Sequence, residues 1–245
     1  MAKQKLKRFA EFATMPNTFD FAHQLKGKWN TEVFKNNNPI VLELGCGKGE
    51  YTLALAHLYP NKNFIGIDIK SNRMWVGAKK ALEQNQMNIA FLRIVLHKIH
   101  EFFEAGEVSE IWITFPDPFV RIRSAKHRLT HPRFLQLYKQ ILHPEGLINF
   151  KTDSDELFSF TQIMLSKIGI EPILVETDVH GNPNAEPLLK NVRTYYENLF
   201  SAKGKKIKFM KFSLLNLSTD HITKFEEWFE AERKKLVALG HSTGI

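Results

Sequence analysis

Residues 40–58 read IVLELGCGKGEYTLALAHL, an apolar run followed by a glycine-rich turn and then by a segment with helical spacing. Glycines at a strand-to-helix turn let the backbone bend sharply and approach a ligand closely, because no Cβ is in the way. The run before the turn is almost continuously apolar, which is typical of a parallel strand buried on both faces. This stretch therefore predicts a strand, a ligand-binding turn and a helix of an α/β domain.

The same alternation continues along the chain. Runs rich in β-branched and aromatic residues predict seven strands, at residues 40–44, 63–69, 89–95, 110–115, 147–152, 172–177 and 207–213. Apolar residues recur at three- and four-residue spacing in the helix candidates 71–86, 132–142 and 154–168. This βαβα order predicts an open, mostly parallel sheet with helices on both faces. Such a sheet places its ligand site at the carboxyl ends of its strands.

Composition divides the chain into three segments. Residues 1–38 are basic and end in the turn-like sequence NNNP, so we predict an N-terminal extension and not a second domain. Residues 39–213 contain the strand pattern and form the predicted α/β domain. Residues 214–245 mix acids and bases around aromatic residues, which predicts a C-terminal helical tail. The polar connection 178–206 is long, and loops of that length are usually functional or disordered.

The charge and cysteine content limit the partners and the compartment. The chain has 245 residues and a net charge of +8, which favours a polyanionic partner but does not by itself distinguish nucleic acid from a lipid surface or a phosphorylated metabolite. Its single cysteine, Cys46, excludes a disulfide framework and a cysteine-built zinc site, and fits the reducing cytoplasm. No apolar run is long enough to cross a bilayer, and the basic N-terminus lacks the apolar segment of a secretory signal. We expect a cytoplasmic protein with no membrane and no metal partner.

The spacing of the turn favours S-adenosylmethionine over a dinucleotide. A dinucleotide turn spaces its glycines G-x-G-x-x-G, but here the order is G-x-G-x-G, and Glu50 stands where the third glycine would be. A pyrophosphate would face the carboxylates of Glu43 and Glu50, whereas a cofactor with a sulfonium and an ammonium would be attracted by them. Asp68 ends the next strand, about 20 residues on, where a carboxylate can bind a ribose diol; it could also simply favour the start of the following helix.

The loop after the fourth predicted strand combines a carboxylate, an aromatic ring and a basic run. Pro116 and Pro118 stiffen the backbone around Asp117, and Phe119 follows directly. Residues 121–133 then contain five lysines and arginines, two histidines and no acid. This composition is typical of a surface that follows phosphates beside a base-stacking ring, although a solvated basic face has the same composition.

These motifs together resemble the bacterial tRNA (guanine-N7-)-methyltransferase family. The resemblance runs from about residue 5 to residue 213. Its most specific parts are the P-D-P loop with its basic run and the T-x-Y-E segment at 194–197, and it also includes ELGCGKG at 43–49, GIDIK at 66–70, RLTHPRF at 128–134 and KTD at 151–153. The fold it implies is a Rossmann-like class I methyltransferase with an antiparallel edge strand, and the partner it implies is tRNA. The sequence leaves open whether the protein is a monomer or a homodimer.

The resemblance also implies a role for individual residues. Those expected to hold S-adenosyl-L-methionine are Glu43, Gly45, Gly47, Gly49, Asp68 and Asp117. Asp117 is also the expected catalytic residue. The expected substrate-binding residues are Arg121, Asp153, Thr194, Tyr195, Tyr196 and Glu197, and the expected RNA contacts are Arg123, Lys126, His127 and Arg128. The reaction implied is methylation of N7 of guanine at nucleotide 46, in the variable loop of tRNA.

Three positions depart from the family pattern. Phe119 stands where the family usually has tryptophan, which keeps a stacking face but loses the indole donor. Val95 ends the third predicted strand where many members have an acid that contacts adenine, so that contact must come from elsewhere. Tyr195 replaces a more usual acidic residue.

Guanine N7 has an in-plane lone pair and no proton, so its methylation needs alignment and a nearby negative charge more than a general base. Asp117 suits a position near the reacting centre, and Asp153 could accept hydrogen bonds from the guanine edge. Phe119 or Tyr196 could stack on a base taken out of its helix.

Three other functions stay open. An enzyme that methylates an exocyclic amino group is disfavoured, because the corresponding loop of such enzymes tends to read [DNS]-P-P-aromatic, whereas this chain reads P-D-P-F at 116–119. A catalytically silent RNA-binding protein would keep the fold without responding to the methyl donor. An NAD-dependent oxidoreductase is disfavoured by Glu50.

Two further acid-poor runs could extend the tRNA surface. The first 28 residues contain six cations against two acids, Glu11 and Asp20, and residues 203–211 contain five lysines and no acid. The cations of the first run are Lys3, Lys5, Lys7, Arg8, Lys26 and Lys28. Solubilising surface charge is the simpler explanation for the N-terminal lysines.

Overall fold

Eight strands form one sheet in the computed structural model, which describes residues 2–238 and the side chains of residues 4–238. The side chain of Lys3 and the end of the predicted tail, residues 239–245, lie outside this part. The strands are β1 (Thr18–Asp20), β2 (Ile40–Leu44), β3 (Asn63–Asp68), β4 (Ile89–Arg93), β5 (Val108–Thr114), β6 (Leu142–Thr152), β7 (Leu174–Glu176) and β8 (Lys208–Ser213). Their order across the sheet is β1-β4-β3-β2-β5-β6-β8-β7.

The sheet is parallel except at β8, which runs antiparallel to both of its neighbours, β6 and β7. The predicted Rossmann-like fold with an antiparallel strand is therefore confirmed. The antiparallel strand lies one position in from the edge, because the three-residue β7 pairs with its outer side.

Eight α-helices connect and cover the strands of residues 2–238. They are α1 (Ala2–Phe12), α2 (Glu50–Leu58), α3 (Ser71–Glu83), α4 (Pro132–Ile141), α5 (Asp155–Lys167), α6 (Pro187–Asn191), α7 (Tyr195–Ala202) and α8 (Thr219–Ala238). The apolar side chains of α2 and α3 belong to one hydrophobic cluster, and those of α4, α5 and α8 belong to a second one. The predicted amphipathic tail is α8, which buries Phe225 and Phe229 in the second cluster.

The two central strands, β2 and β5, are neighbours at the point where the strand order reverses. Leu44 of β2 pairs with Ile113 of β5, so both strands end at the same edge of the sheet. The chain leaves β2 towards β3 on one side, whereas β5 is followed by β6 on the other side. In an open α/β sheet the ligand crevice lies at such a switch point, outside the carboxyl ends of the strands. The glycine turn after β2 and the P-D-P loop after β5 therefore face each other.

Seven strands were predicted, and the eighth, β1, comes from the predicted N-terminal extension. Thr18 pairs with Phe91 of β4, and the following segment buries Trp29 completely in the core. Only three residues form this strand, so the sequence contains no apolar alternation long enough to predict it. Residues 18–38 thus contribute to the sheet and the core of the α/β domain.

Candidate active site

A cavity of about 980 Å³ opens at the carboxyl ends of the central strands. It brings together segments that are far apart in sequence: the glycine turn, the end of β3, the P-D-P loop, the start of α5 and the start of α7. The predicted site residues that line it are Glu43, Gly45, Gly47, Asp68, Asp117, His127, Asp153, Thr194, Tyr195 and Tyr196.

The glycine turn needs its glycines for two different reasons. Gly45 and Gly47 have φ angles of 71° and 56°, a left-handed backbone that side chains disfavour. Gly49 also has a positive φ, and a Cβ there would lie 2.5 Å from the ring of Phe91, on β4. The turn is tied to β3 because the amide of Gly45 donates to the carbonyl of Ile67 at 2.8 Å. A ligand in the cavity can therefore approach the backbone of the turn without meeting side chains at the glycines.

Asp68 closes the turn from the neighbouring strand. Its Oδ2 accepts a hydrogen bond from the amide of Gly47 at 3.0 Å, and its Oδ1 accepts one from the amide of Lys70 at 2.9 Å. A carboxylate has about four lone-pair sites, so both oxygens can accept further hydrogen bonds. Asp68 is thus held in place and can still bind a pair of hydroxyl groups.

Glu43 is buried below the turn and holds three elements together. Its carboxylate accepts hydrogen bonds from the amide and hydroxyl of Thr52, in α2, and from the hydroxyl of Thr114, at the end of β5. Burial raises the pKa of Glu43 to about 7, against these three hydrogen bonds, which lower it. A cation in the cavity would favour the ionised form.

Glu50 connects the glycine turn to α7. Its Oε2 accepts a hydrogen bond from the amide of Tyr195 at 2.7 Å, and the ammonium of Lys48 lies 5.5 Å from the centre of the Tyr195 ring. Lys48 and Glu50 line the cavity; the sequence analysis predicts only that the charge of Glu50 attracts a cationic cofactor and assigns no role to Lys48. Their side chains follow the motif glycines directly, which is the signal that could have identified them.

The P-D-P loop adopts an uncommon backbone. Phe115 and Phe119, on either side of it, have φ angles of 49° and 42°. A bulky residue in this region costs about 1–3 kcal/mol, and such residues cluster at functional sites. Between them, Asp117 is exposed and lines the cavity. Among residues 4–238, no side chain or backbone group forms a hydrogen bond or ion pair with its carboxylate, which is therefore available to a ligand.

Arg128 holds this loop and is not at the surface. Its Nε donates to the carbonyl of Pro118 at 3.2 Å, its Nη2 donates to the carbonyl of Phe119 at 3.2 Å, and its guanidinium stacks over Phe160 at 4.3 Å. Burial lowers the pKa of Arg128 to about 10, so it stays cationic at neutral pH. The sequence predicts that Arg128 contacts RNA, whereas the structure buries its side chain, which is 0% exposed, beneath the loop.

The other predicted RNA contacts, Arg123, Lys126 and His127, are exposed, as are Arg121 and Arg133 of the same basic run. Arg121, which was predicted to bind substrate, does not line the cavity. The ring of His127 also lies 5.6 Å from that of Phe119, which places an aromatic pair at the rim of the cavity.

Aromatic rings and a carboxylate form the opposite wall. Tyr195 and Tyr196 are 60% and 50% exposed, and Tyr196 stacks on Phe200 with an angle of 25° between the rings. Asp153, directly before α5, forms an ion pair with Lys205 at 2.7 Å. This wall offers both a stacking surface and an acceptor for hydrogen-bond donors.

Glu197 lies behind the wall and does not line the cavity. It is 0% exposed and pairs with Lys151 at 2.8 Å, and His180 lies 2.9 Å from the same oxygen. The sequence predicts that Glu197 binds substrate, whereas the structure buries its side chain away from the cavity. T-x-x-E is a capping-box pattern, and Thr194 does cap α7 by accepting a hydrogen bond from the amide of Glu197.

The cavity is lined by apolar side chains near Val95, the position where many family members have an acid. Ile69 and Leu96 line the cavity there, with Lys70 and Arg73 beside them, whereas Val95 does not line it. An adenine ring would meet these apolar side chains.

Within residues 2–238, no helix is both long and apolar enough to cross a membrane, and no group of three or more potential metal ligands was found.

Known proteins resemble this chain over most of its length. Residues 37–210 match the model of a family described as "Putative methyltransferase". A tRNA (guanine-N(7)-)-methyltransferase of Bacteroides thetaiotaomicron is 42% identical over 222 residues, which cover 87% of each chain. One of Christiangramia forsetii is 44% identical over 221 residues, which cover 87% of this chain and 99% of the relative.

Solved structures support the fold. The structure of an antibiotic-related methyltransferase superimposes with a TM-score of 0.55 at 19% identity, over 75% of this chain and 90% of that one. The 16S rRNA methyltransferase KamB superimposes with a TM-score of 0.56 at 12% identity, over 75% and 91% of the two chains.

Proposed function

Because this chain belongs to the tRNA (guanine-N7-)-methyltransferase family, we propose that it transfers a methyl group from S-adenosylmethionine to N7 of guanine in tRNA. We further propose that the guanine is nucleotide 46, in the variable loop. The observation that supports this function most is one cavity in which the glycine turn and Asp68 lie together with the free carboxylate of Asp117 and the exposed rings of α7.

The cofactor end of the cavity suits a cationic nucleoside. The glycine turn lets a ligand approach the backbone, and Asp68 has acceptor sites left for a ribose diol. Ile69 and Leu96 offer an apolar surface for a purine ring. When bound, S-adenosylmethionine supplies an electrophilic methyl group on a sulfonium, and the charges of Glu43, Asp68 and Asp117 favour such a cation.

The opposite wall suits a guanine. Asp153 is acceptor-only when ionised, so it can bind the N1–H and amino donors of the guanine edge. Tyr195 and Tyr196 can stack on a base that has left its helix, which offsets part of the cost of unstacking. Together these contacts fix the ring so that N7 points at the cofactor end. Alignment of this kind can supply several kcal/mol of the barrier.

Asp117 acts through its charge and position. Attack by N7 requires no proton removal, because N7 has a free lone pair. The purine becomes cationic as the new bond forms, and a carboxylate beside that charge stabilises it. Arg128 keeps the loop that bears Asp117 in its uncommon backbone, while Arg121, Arg123 and Lys126 remain free to follow RNA phosphates.

The test is incubation of the full chain with methyl-labelled S-adenosylmethionine and tRNA from cells that lack 7-methylguanosine, followed by nucleoside analysis. We expect the label in 7-methylguanosine alone. Label in another methylated nucleoside would support a different base methyltransferase. Binding of both ligands without label transfer would support a silent RNA-binding protein.

A further inference from the structure

Lys205 occupies the acceptor that a guanine would need. It follows α7 in a turn, and its amide donates to the carbonyl of Phe200 at 3.1 Å. Its ammonium donates to Oδ2 of Asp153 at 2.7 Å and lies 5.1 Å from the centre of the Phe200 ring. Lys205, Phe200 and Asp153 all line the cavity, so this ion pair lies inside the substrate end of the site.

An ammonium in this place opposes the chemistry of the site. The methyl donor is a cation, and the methylated purine becomes one. A third cation beside them raises the energy of both and uses an oxygen of Asp153 that the guanine edge would bind. The ion pair therefore suits the substrate-free protein, and guanine can bind fully only after Lys205 has left.

Lys205 is able to leave because its side chain is half exposed, whereas Asp153 is only 13% exposed and stays in the wall. Pairs that involve such an exposed lysine are weak and are screened by salt. By contrast, Lys208 is 10% exposed, so its pair with Asp155 holds it against the sheet. Among the lysines of residues 203–211, Lys205 alone combines an exposed side chain with a contact to a predicted substrate residue.

We propose that Lys205 is a specificity-determining residue, which blocks Asp153 until a guanine attached to a phosphate backbone enters, and then binds a phosphate of that RNA. A guanine within RNA brings a phosphate that replaces Asp153 as the partner of Lys205. Free guanosine brings no phosphate, so it is discriminated against. The inference rests on the proposed function, since it takes Asp153 as the guanine acceptor.

The test compares Lys205→Met, which removes the charge but keeps an unbranched chain, with Lys203→Met as the matched control and Lys205→Arg as the conservative variant. Guanosine affinity is measured by calorimetry on protein saturated with S-adenosylhomocysteine, and tRNA affinity is measured at several salt concentrations. We expect Lys205→Met to bind guanosine roughly 3- to 10-fold more tightly than the wild type. We also expect its log–log slope of tRNA affinity against salt to become shallower by about 0.7–0.9, the value for one lost phosphate contact.

The control and the conservative variant distinguish this role from general surface charge. Lys203→Met should leave guanosine affinity unchanged, and Lys205→Arg should resemble the wild type in both measurements. Unchanged, weaker or undetectable guanosine binding by Lys205→Met would overturn the proposal, as would an unchanged salt slope. Neither measurement requires turnover, so a failure of the proposed function appears separately, as wild-type protein that forms no 7-methylguanosine.

Discussion

At the scale of single residues, Asp117 differs from the other acids of the cavity because its carboxylate has no partner among residues 4–238. Glu43 and Asp68 accept hydrogen bonds from the protein, and Asp153 pairs with Lys205. Glu43 and Asp68 thus shape the cofactor end, while Asp117 remains free to face a developing cation.

Asp117→Ala is expected to lower turnover by about 100-fold or more, because the carboxylate that stabilises the purine cation is lost. Affinity for tRNA should stay near that of the wild type, since the exposed cations are retained. Single-turnover transfer and filter binding measure the two quantities. Asp220→Ala, an exposed acid of α8 outside the cavity, is the control and should have normal turnover. Near-normal turnover of Asp117→Ala would refute its role.

Glu43 predicts a pH dependence of stability with a definite sign. Its pKa is raised to about 7 in the folded protein from an ordinary value of 4.5, so the folded state binds the proton more tightly. The contribution of Glu43 to stability is therefore fully present below about pH 4.5 and is lost as the pH rises through about 7. Relative to Glu43→Gln, which cannot ionise, the wild type should lose about 2–3 kcal/mol of its free energy of unfolding between pH 5 and pH 8.

Urea unfolding of both proteins at the two pH values measures this difference. The glutamine variant cancels pH effects that arise elsewhere in the molecule, because those effects are common to both proteins. A constant difference between the two proteins would mean that Glu43 titrates normally in the folded state.

At the scale of elements, buried ionic groups position two walls of the cavity, the P-D-P loop and α7. Arg128, just before α4, holds the P-D-P loop through two carbonyls. The pair of Lys151 and Glu197 joins β6 to α7, whose first residues face the cavity. Both ionic groups act through backbone placement.

Arg128→Met is expected to reduce turnover at least about 10-fold, because two loop carbonyls lose their donors and the strained backbone of Phe119 relaxes. The salt slope of tRNA binding should not change, since a buried guanidinium neutralises no phosphate. Arg123→Met, from the same basic run but exposed, should show the reverse: near-normal turnover with saturating tRNA and a shallower slope. A shallower slope for Arg128→Met would support the prediction that Arg128 contacts RNA.

Lys151→Met is expected to destabilise the protein by about 3–5 kcal/mol, because it leaves the carboxylate of Glu197 buried without its cation. The double variant Lys151→Met with Glu197→Leu should be more stable than the single variant, since no buried charge remains. Urea unfolding compares them. A double variant less stable than Lys151→Met would show that Glu197 has a stabilising role apart from this pair.

At the scale of the whole molecule, the net charge of +8 is not spread evenly over the acid-poor runs, because the fold pairs the cations of one run with acids. The run 203–211 contains no acid, yet Lys205, Lys206, Lys208 and Lys211 each pair with a carboxylate from elsewhere in the chain. The exposed cations of 121–126, by contrast, form no ion pair within residues 4–238. The latter run should therefore contribute most of the phosphate contacts.

The double variant Arg123→Gln with Lys126→Gln should make the salt slope of tRNA binding shallower by about 1.5, as expected for two lost phosphate contacts. Lys208→Gln with Lys211→Gln removes the same charge from the paired run and should change the slope by less than half as much. Binding titrations over a range of salt concentrations measure both slopes. Equal effects would mean that the paired lysines also contact RNA.

Sequence alone predicts the parts that depend on local pattern. Residues 40–44 were assigned to the strand that is observed, because apolar continuity and a glycine turn are local signals. The burial of a charged residue depends on contacts that are distant in sequence. Nothing in the local sequence distinguishes Arg128 from a surface cation or Glu197 from a ligand-binding acid, and only their tertiary partners do so. The three-residue β1 likewise forms because β4 offers it a free edge.

Replacement of N7 in a tRNA guanine by carbon shows whether that atom is the nucleophile. Two transcripts of one tRNA are compared with methyl-labelled S-adenosylmethionine, one with guanine and one with 7-deazaguanine, which has carbon in place of N7. Binding of both transcripts is confirmed first. We predict full transfer to the guanine transcript and none to the 7-deazaguanine transcript. Equal labelling of both would place the methyl group on another atom and contradict the account.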